Sequence, residues 1–165
     1  DSRSLSMGTG FLAWTAAEAA AEGTSLDEIL ALLEEQIQRT FVFAALDTLE
    51  FLRRSGRMNR ALAAVGEWLK MKPLLTMYDG NPKAHPVRTT NHATKRLVTL
   101  LEKWTPLEKA ALVHTHSLAR AERVQRRTDH LLPEDFLSVD ITPVFGVHLG
   151  PNAVGFACVT AQQKE

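Results

Sequence analysis

Residues 72–89 read KPLLTMYDGNPKAHPVRT, in which two strand-like segments flank an Asp-Gly pair. Segments 72–78 and 83–89 match the strand pattern, and Asp79-Gly80 between them is typical of a hairpin turn. A hairpin requires an antiparallel strand pair, whereas the chain as a whole alternates between helical and strand patterns. We therefore expect a mixed sheet covered by helices, which is a fold of the α/β class.

The remaining pattern predicts four more strands and several helices in one domain, residues 1–165. Gly23 ends an alanine-rich first helix, and the capping box Ser25-Leu-Asp-Glu28 begins a second helix that runs to about residue 39. Further helices are predicted at about 47–56, 58–69, 91–103 and 118–130. The four additional strands are predicted at 41–46, 110–114, 137–141 and 154–160, which makes six strands in all.

The composition argues against several classes of partner. Lys+Arg and Asp+Glu both number 19, so the net charge is zero and the basic footprint of a nucleic-acid-binding protein is missing. No apolar run approaches the ~20 residues that a membrane span needs, so we expect no stable membrane insertion. The single cysteine, Cys158, lies in an apolar run, which favours a core position and a reducing, cytoplasmic setting.

The segment that says most about function is Thr142-Pro-Val-Phe-Gly-Val-His-Leu-Gly-Pro-Asn-Ala-Val-Gly155. It places His148 between two glycines and two prolines, and we expect a loop that holds the imidazole in a fixed position. One polar group among apolar neighbours suits a site for one end of a mostly apolar ligand. The alternative is a purely structural turn.

Two other classes of function remain open. A hydrolase could use His148 as its base, with a nucleophile such as Ser4, Ser6 or Ser138, and a purely structural or interaction domain is the third hypothesis. The sequence contains no nucleophile elbow, Walker loop or dinucleotide fingerprint, so we expect no enzyme activity and no cofactor. His114 and His116 are spaced for one face of a strand, but because they lack a third ligand we expect no metal.

Arginines form two groups with different expected roles. Arg54 and Arg57 lie at the end of the predicted helix 47–56, where they could bind phosphate or carboxylate or could complement the helix dipole. Arg88 leaves the same choice open. A solvated helix face is expected for Arg120, Arg123, Arg126 and Arg127.

Four segments in order along the chain carry a family resemblance. They are Asp1-Ser-Arg-Ser-Leu-Ser-Met-Gly-Thr-Gly-Phe11, Leu46-Asp-Thr-Leu-Glu-Phe-Leu-Arg-Arg-Ser-Gly-Arg57, Lys72-Pro-Leu-Leu-Thr76 with Asp79-Gly80 and Val87-Arg-Thr89, and residues 143–155. Together they resemble the DegV family of bacterial fatty-acid-binding proteins. The chain departs from the family pattern at Ser55 and Asn152, where the family has glycine.

The resemblance implies a two-layer domain with a mixed six-stranded sheet, namely the C-terminal domain of a two-domain protein without its N-terminal domain. It implies one long-chain fatty acid in an apolar tunnel, presented to a fatty acid kinase that makes an acyl phosphate for phospholipid synthesis. His148 would contact the carboxylate. The surrounding lining would include Phe145, Gly146, Leu149 and Gly150, and the tunnel mouth or kinase-docking face would include Arg54, Arg57 and Arg88.

Overall fold

A mixed sheet forms the centre of the structure, a computed structural model that describes residues 1–56 and 71–161. The strands are β1 Thr40–Ala45, β2 Leu74–Tyr78, β3 Asn81–His85, β4 Leu107–His114, β5 Leu137–Asp140 and β6 Val154–Thr160. They lie in the order β3-β2-β1-β6-β4-β5. β4 and β5 are parallel, and every other neighbouring pair is antiparallel. The predicted α/β class, the hairpin and the six-stranded mixed sheet are confirmed.

The helices are α1 Met7–Ala21, α2 Leu26–Gln38, α3 Glu50–Arg54, α4 Thr90–Trp104, α5 Leu118–Thr128 and α6 Pro143–Leu149. The capping box at the start of α2 is formed, because the Ser25 hydroxyl accepts the Glu28 N–H and the Glu28 carboxylate accepts the Ser25 N–H. The predicted helix 58–69 lies outside the described residues. Within the two described ranges, no helix combines the length and apolar character of a membrane span.

Residues 143–149 form helix α6, so the loop predicted around His148 is wrong. Proline suits the first turn of a helix, where its missing N–H costs no hydrogen bond, and Pro143 occupies that position. Gly150 ends the helix with a φ of 75°, a conformation that glycine adopts without strain. The same proline and glycine that suggested a loop are therefore the start and stop signals of a short helix.

The sheet is covered differently on its two faces. On the first face, Phe41 and Phe43 of β1 pack in a buried cluster with side chains of α4 and α5. On the second face, Val42 packs with Phe11 of α1, and Ala44 packs beside the short helices α3 and α6. Successive residues of a strand point to opposite faces, so β1 contributes alternately to the two layers.

Gly155 of β6 lies directly against β1. A methyl group added there would lie 2.6 Å from the Ala44 Cα and against the Phe43 carbonyl oxygen, and neither backbone atom can rotate away. We expect Gly155→Ala to lower the free energy of unfolding by at least ~2 kcal/mol, as overpacked sites do. Urea denaturation measures this, with Gly146→Ala as a control for replacing a glycine that has open space around it and a helical backbone. Equal stability of Gly155→Ala and the wild type would contradict the close approach of β1 and β6.

Cys158 occupies the core position that the sequence predicts, on the first face of β6. Burial raises the pKa of its thiol to about 12, whereas an unfolded cysteine titrates near ~8.5. Between these values only the unfolded chain loses the proton, so the free energy of unfolding should fall as the pH rises above about 9.

We expect a thiol reagent at pH 8 to label the protein only after denaturation. Rapid stoichiometric labelling of the native protein would show that Cys158 is accessible.

Candidate functional site

An apolar cavity of about 530 Å³ lies on the second face of the sheet. Its floor consists of side chains that alternate along three strands, Val42 and Ala44 of β1, Leu75 and Met77 of β2, and Val113 of β4. The walls consist of residues from the N-terminal segment, α3, the end of β5 and α6, which include Leu5, Ser6, Leu52, Ile141, Val144, Phe145, His148 and Leu149. The volume falls within the ~300–1,000 Å³ of small-molecule sites.

The helical conformation of α6 explains which of its residues reach the cavity. Val144 and His148 are four residues apart, as are Phe145 and Leu149, so all four lie on one side of the helix. Val147 is on the other side and is 60% exposed. Val144 lines the cavity and is nevertheless 68% exposed, which means that the cavity opens to solvent beside the first turn of α6.

His148 is one of three polar residues in the cavity lining, with Ser6 and Thr76. Thr76 is already engaged, because its hydroxyl hydrogen-bonds His85 Nε2 at 3.2 Å. The His148 Nδ1 atom is buried and has no hydrogen-bond partner among the described residues. A buried polar atom without a partner costs about 1–3 kcal/mol, and in native proteins such atoms are often found at functional sites.

The structure brings together part of the predicted ligand site. Phe145 and Leu149 line the same cavity as His148. Gly146 and Gly150 instead line a separate, shallower cleft with Thr115 and Asp140. Gly150 is buried, and its carbonyl oxygen accepts a hydrogen bond from the Thr115 hydroxyl, so its part is to end α6 at the right place.

Of the predicted arginines, Arg54 and Arg88 are described by the structure, and neither lines the cavity. Arg54 is exposed and forms an ion pair with Glu50 one turn earlier on α3, with 2.5 Å between Nη2 and Oε1. Arg88 is exposed on the connection between β3 and α4. Arg57 lies outside the described residues. A role of Arg54 and Arg88 in docking a partner stays a prediction, and direct lining of the cavity by these two side chains is not observed.

Arg120 is buried, so the solvated position predicted for it is wrong. Its side chain is buried and contacts Asp47 and the Asn152 backbone, whereas Arg123 on the same helix is exposed. A signal was available, because Arg120 lies one turn before Val124, a buried residue of α5. The helical period therefore places Arg120 at the edge of the apolar side of the helix, next to Val124.

The two histidines with strand spacing end up in different environments. β4 ends at His114, which is buried, while His116 follows in a turn with a φ of 47° and is exposed. The Asp140 carboxylate lies beside both, 3.6 Å from His114 Nδ1 and 3.7 Å from His116 Nδ1. The His116 backbone N–H and the neighbouring imidazoles lower the pKa of Asp140. Among residues 1–56 and 71–161, no group of three or more His, Cys, Asp or Glu side chains is placed to hold a metal.

The hydrolase hypothesis requires a serine hydroxyl hydrogen-bonded to His148. Ser6 lines the cavity, whereas Ser138 lies on β5. In the part of the chain that the structure describes, none of Ser4, Ser6 and Ser138 forms a hydrogen bond with His148. The nucleophile-to-base contact that defines such a site is therefore missing from this arrangement.

The fold and the cavity define an α/β domain with an apolar cavity on one face of its sheet. The model of the DegV family of uncharacterised proteins matches residues 1–161, so the chain belongs to the DegV family. A DegV domain-containing protein of Clostridium acetobutylicum is 34% identical over 164 residues, which cover 97% of this chain and 58% of that relative. The chain thus spans little more than half the length of this relative.

Solved structures agree with the family assignment. A fatty-acid-binding DegV family protein from Streptococcus agalactiae superposes with a TM-score of 0.88 at 27% identity, covering 98% of this chain and 59% of that one. A DegV family protein from Thermus thermophilus, described for its fatty acid binding, gives a TM-score of 0.82 at 29% identity, with 97% and 59% covered. The fold of the present chain is therefore that of the matching part of these family members.

Proposed function

We propose that this chain binds a long-chain fatty acid, with the acyl chain in the apolar cavity and the carboxylate at His148. The observation that carries the proposal is the unpaired, buried Nδ1 of His148 at the wall of a cavity otherwise lined almost wholly by apolar side chains. Two DegV family structures that superpose on this chain are described as fatty-acid-binding proteins. A fatty acid has the matching chemistry, namely one polar group on a long apolar chain.

The acyl chain and the carboxylate of the ligand contribute differently to the free energy of binding. Burying about fourteen methylenes contributes on the order of 11 kcal/mol, before the costs of association and ordering are subtracted. The cavity walls therefore supply most of the affinity. A carboxylate can accept a hydrogen bond from a protonated ring nitrogen of His148, and this contact fixes the direction of the chain and selects an acid over a hydrocarbon.

The proposed function of the whole protein involves a second domain and a partner enzyme. We assign the chain to the C-terminal part of a two-domain protein, as the family resemblance implies, and the chain spans 58% of the length of the Clostridium relative. In this proposal the second domain completes the carboxylate site, and the whole protein presents the acid to a fatty acid kinase for acyl-phosphate formation in phospholipid synthesis. Arg54, Arg57 and Arg88 are the candidates for the docking face.

The direct experiment is native mass spectrometry of the full-length protein purified from bacteria, followed by organic extraction. We expect one long-chain fatty acid per protein molecule, which denaturation releases. A preparation without bound lipid that also fails to take up hexadecanoic acid on titration would refute the proposal.

The kinase step is tested separately, by transfer of phosphate from ATP to the bound acid with a purified bacterial fatty acid kinase. Binding without transfer would limit the function to lipid binding.

A further inference from the structure

Arg120 is a buried cation at the start of α5. Its side chain is only 7% exposed, and its Nη1 atom donates both to Asp47 Oδ1, at 3.2 Å, and to the Asn152 carbonyl oxygen. The Nε and Nη2 atoms are buried and have no hydrogen-bond partner in the described part of the chain. Burial lowers the pKa of Arg120, and the nearby Asp47 carboxylate opposes that shift.

The two partners of Arg120 lie at the ends of the cavity walls. Asp47 is three residues before α3, and Asn152 is three residues after α6. One guanidinium group thus contacts both the segment that precedes α3 and the segment that follows α6. Lys72 adds a second cation on Asp47, with 3.3 Å between Nζ and Oδ1, so the carboxylate remains paired if Arg120 is removed.

A second set of contacts holds the end of α6 to the same place. The Thr115 hydroxyl donates to the Gly150 carbonyl oxygen at 2.7 Å and accepts the Ala153 N–H at 2.8 Å. Gly150 in turn lies against the Phe51 ring of α3, where an added methyl group would collide with the ring. The turn between β4 and α5, which carries Thr115 and precedes Arg120, is therefore the common support of both walls.

We propose that Arg120 is a positioning residue of the cavity, which holds α3 and α6 in register and thereby sets the orientation of His148. The inference deepens the proposed function and rests on it, because it concerns the geometry of the proposed fatty acid site. Arg120 does not line the cavity, so its effect must pass through Asp47 and Asn152.

A gain in the stability of the fold does not by itself explain the buried ion pair between Arg120 and Asp47. A buried ion pair contributes little net stability, because desolvation offsets the attraction between the charges, and an apolar residue of similar size is often equally stable or more so. Methionine matches the length of the arginine stem without its charge, and Asp47 keeps its contact with Lys72. Arg120→Met should therefore fold but lose the link between the two walls.

The test measures hydrogen exchange in the full-length protein without ligand and, separately, hexadecanoic acid affinity by titration. We expect Arg120→Met to speed amide exchange in residues 143–149 and 50–54 about tenfold or more, the factor expected when a charge-assisted hydrogen bond is lost. Exchange in β6 should stay unchanged, and affinity should fall about tenfold. Arg120→Lys should restore part of both effects. Arg123→Met is the matched control and should change neither.

Two results would overturn the proposal. One is an amide exchange rate in α6 of Arg120→Met that equals the wild-type rate. The other is an acceleration of exchange in β6 as large as that in α6, which would show that Arg120 contributes to global stability. If Arg120→Met does not fold, Asp47→Asn tests the contact on the α3 side: exchange in residues 50–54 should be faster than in the wild type, and an unchanged rate there would contradict the proposal. Because exchange is measured without ligand, failure of the wild type to bind hexadecanoic acid would count against the proposed function and leave the exchange result interpretable.

Discussion

Replacing His148 with alanine is expected to weaken fatty acid binding by about 10- to 100-fold while leaving the fold intact. The lost interaction is a hydrogen bond to a charged group, which contributes roughly 1.5–3 kcal/mol. The alanine variant also removes a buried ring nitrogen that has no partner among the described residues, so the ligand-free protein should be no less stable. Isothermal titration with hexadecanoic acid measures the affinity, and thermal unfolding measures the stability.

Two controls make the His148 result specific. Hexadecanol has the same chain and no carboxylate, so its affinity should be nearly equal in the wild type and in His148→Ala. Val147→Ala changes the neighbouring residue on the exposed side of α6 and should leave binding unchanged. An equal loss of affinity for the acid and the alcohol would indicate that His148 shapes the cavity and does not recognise the carboxylate.

Filling the cavity from its floor is expected to have the larger effect. Ala44 lies on the cavity side of β1, and a phenyl ring at this position would occupy space that the proposed acyl chain needs. Displacing about four methylenes costs roughly 3 kcal/mol, so Ala44→Phe should weaken hexadecanoic acid binding on the order of 100-fold. The dependence of this loss on chain length shows which part of the acyl chain lies beside Ala44. Titration with acids of eight to eighteen carbons gives the dependence on length.

A matched control separates blocking from general damage. Ala119 is exposed on α5, and Ala119→Phe introduces the same ring far from the cavity lining. We expect it to bind all acids as the wild type does. Wild-type affinity of Ala44→Phe for the long acids, with wild-type stability, would place the acyl chain outside this cavity.

The sheet was predictable from sequence because its signals are local. The Asp79-Gly80 turn pairs Tyr78 with Asn81 directly, and both turn residues have positive φ, as a tight hairpin requires. β3 nevertheless begins two residues earlier than predicted, because Pro82 is tolerated on an edge strand. Helix α6 was missed because a seven-residue helix with a central glycine has no clear apolar period.

The candidate site was only partly predictable, for a different physical reason. His148 could be singled out because its neighbours in sequence are distinctive, and Phe145 and Leu149 accompany it in the cavity. The floor could not be identified, since Ala44 and Val113 line one cavity only because their strands lie on either side of β6 in the sheet. Arg120 was misplaced because charge usually predicts exposure, and burial here depends on partners distant in sequence, Asp47 and Asn152.

The alternation along β1 has an evolutionary consequence. Phe41 and Phe43 belong to the core beneath α4 and α5, while Val42 and Ala44 face the cavity. Val42 also belongs to the buried cluster around Phe11, whereas Ala44 is only partly buried at the edge of the cluster beside α3 and α6. Under the proposed function, Ala44 is therefore the position of β1 at which selection can change the size of the pocket with the least change to the core.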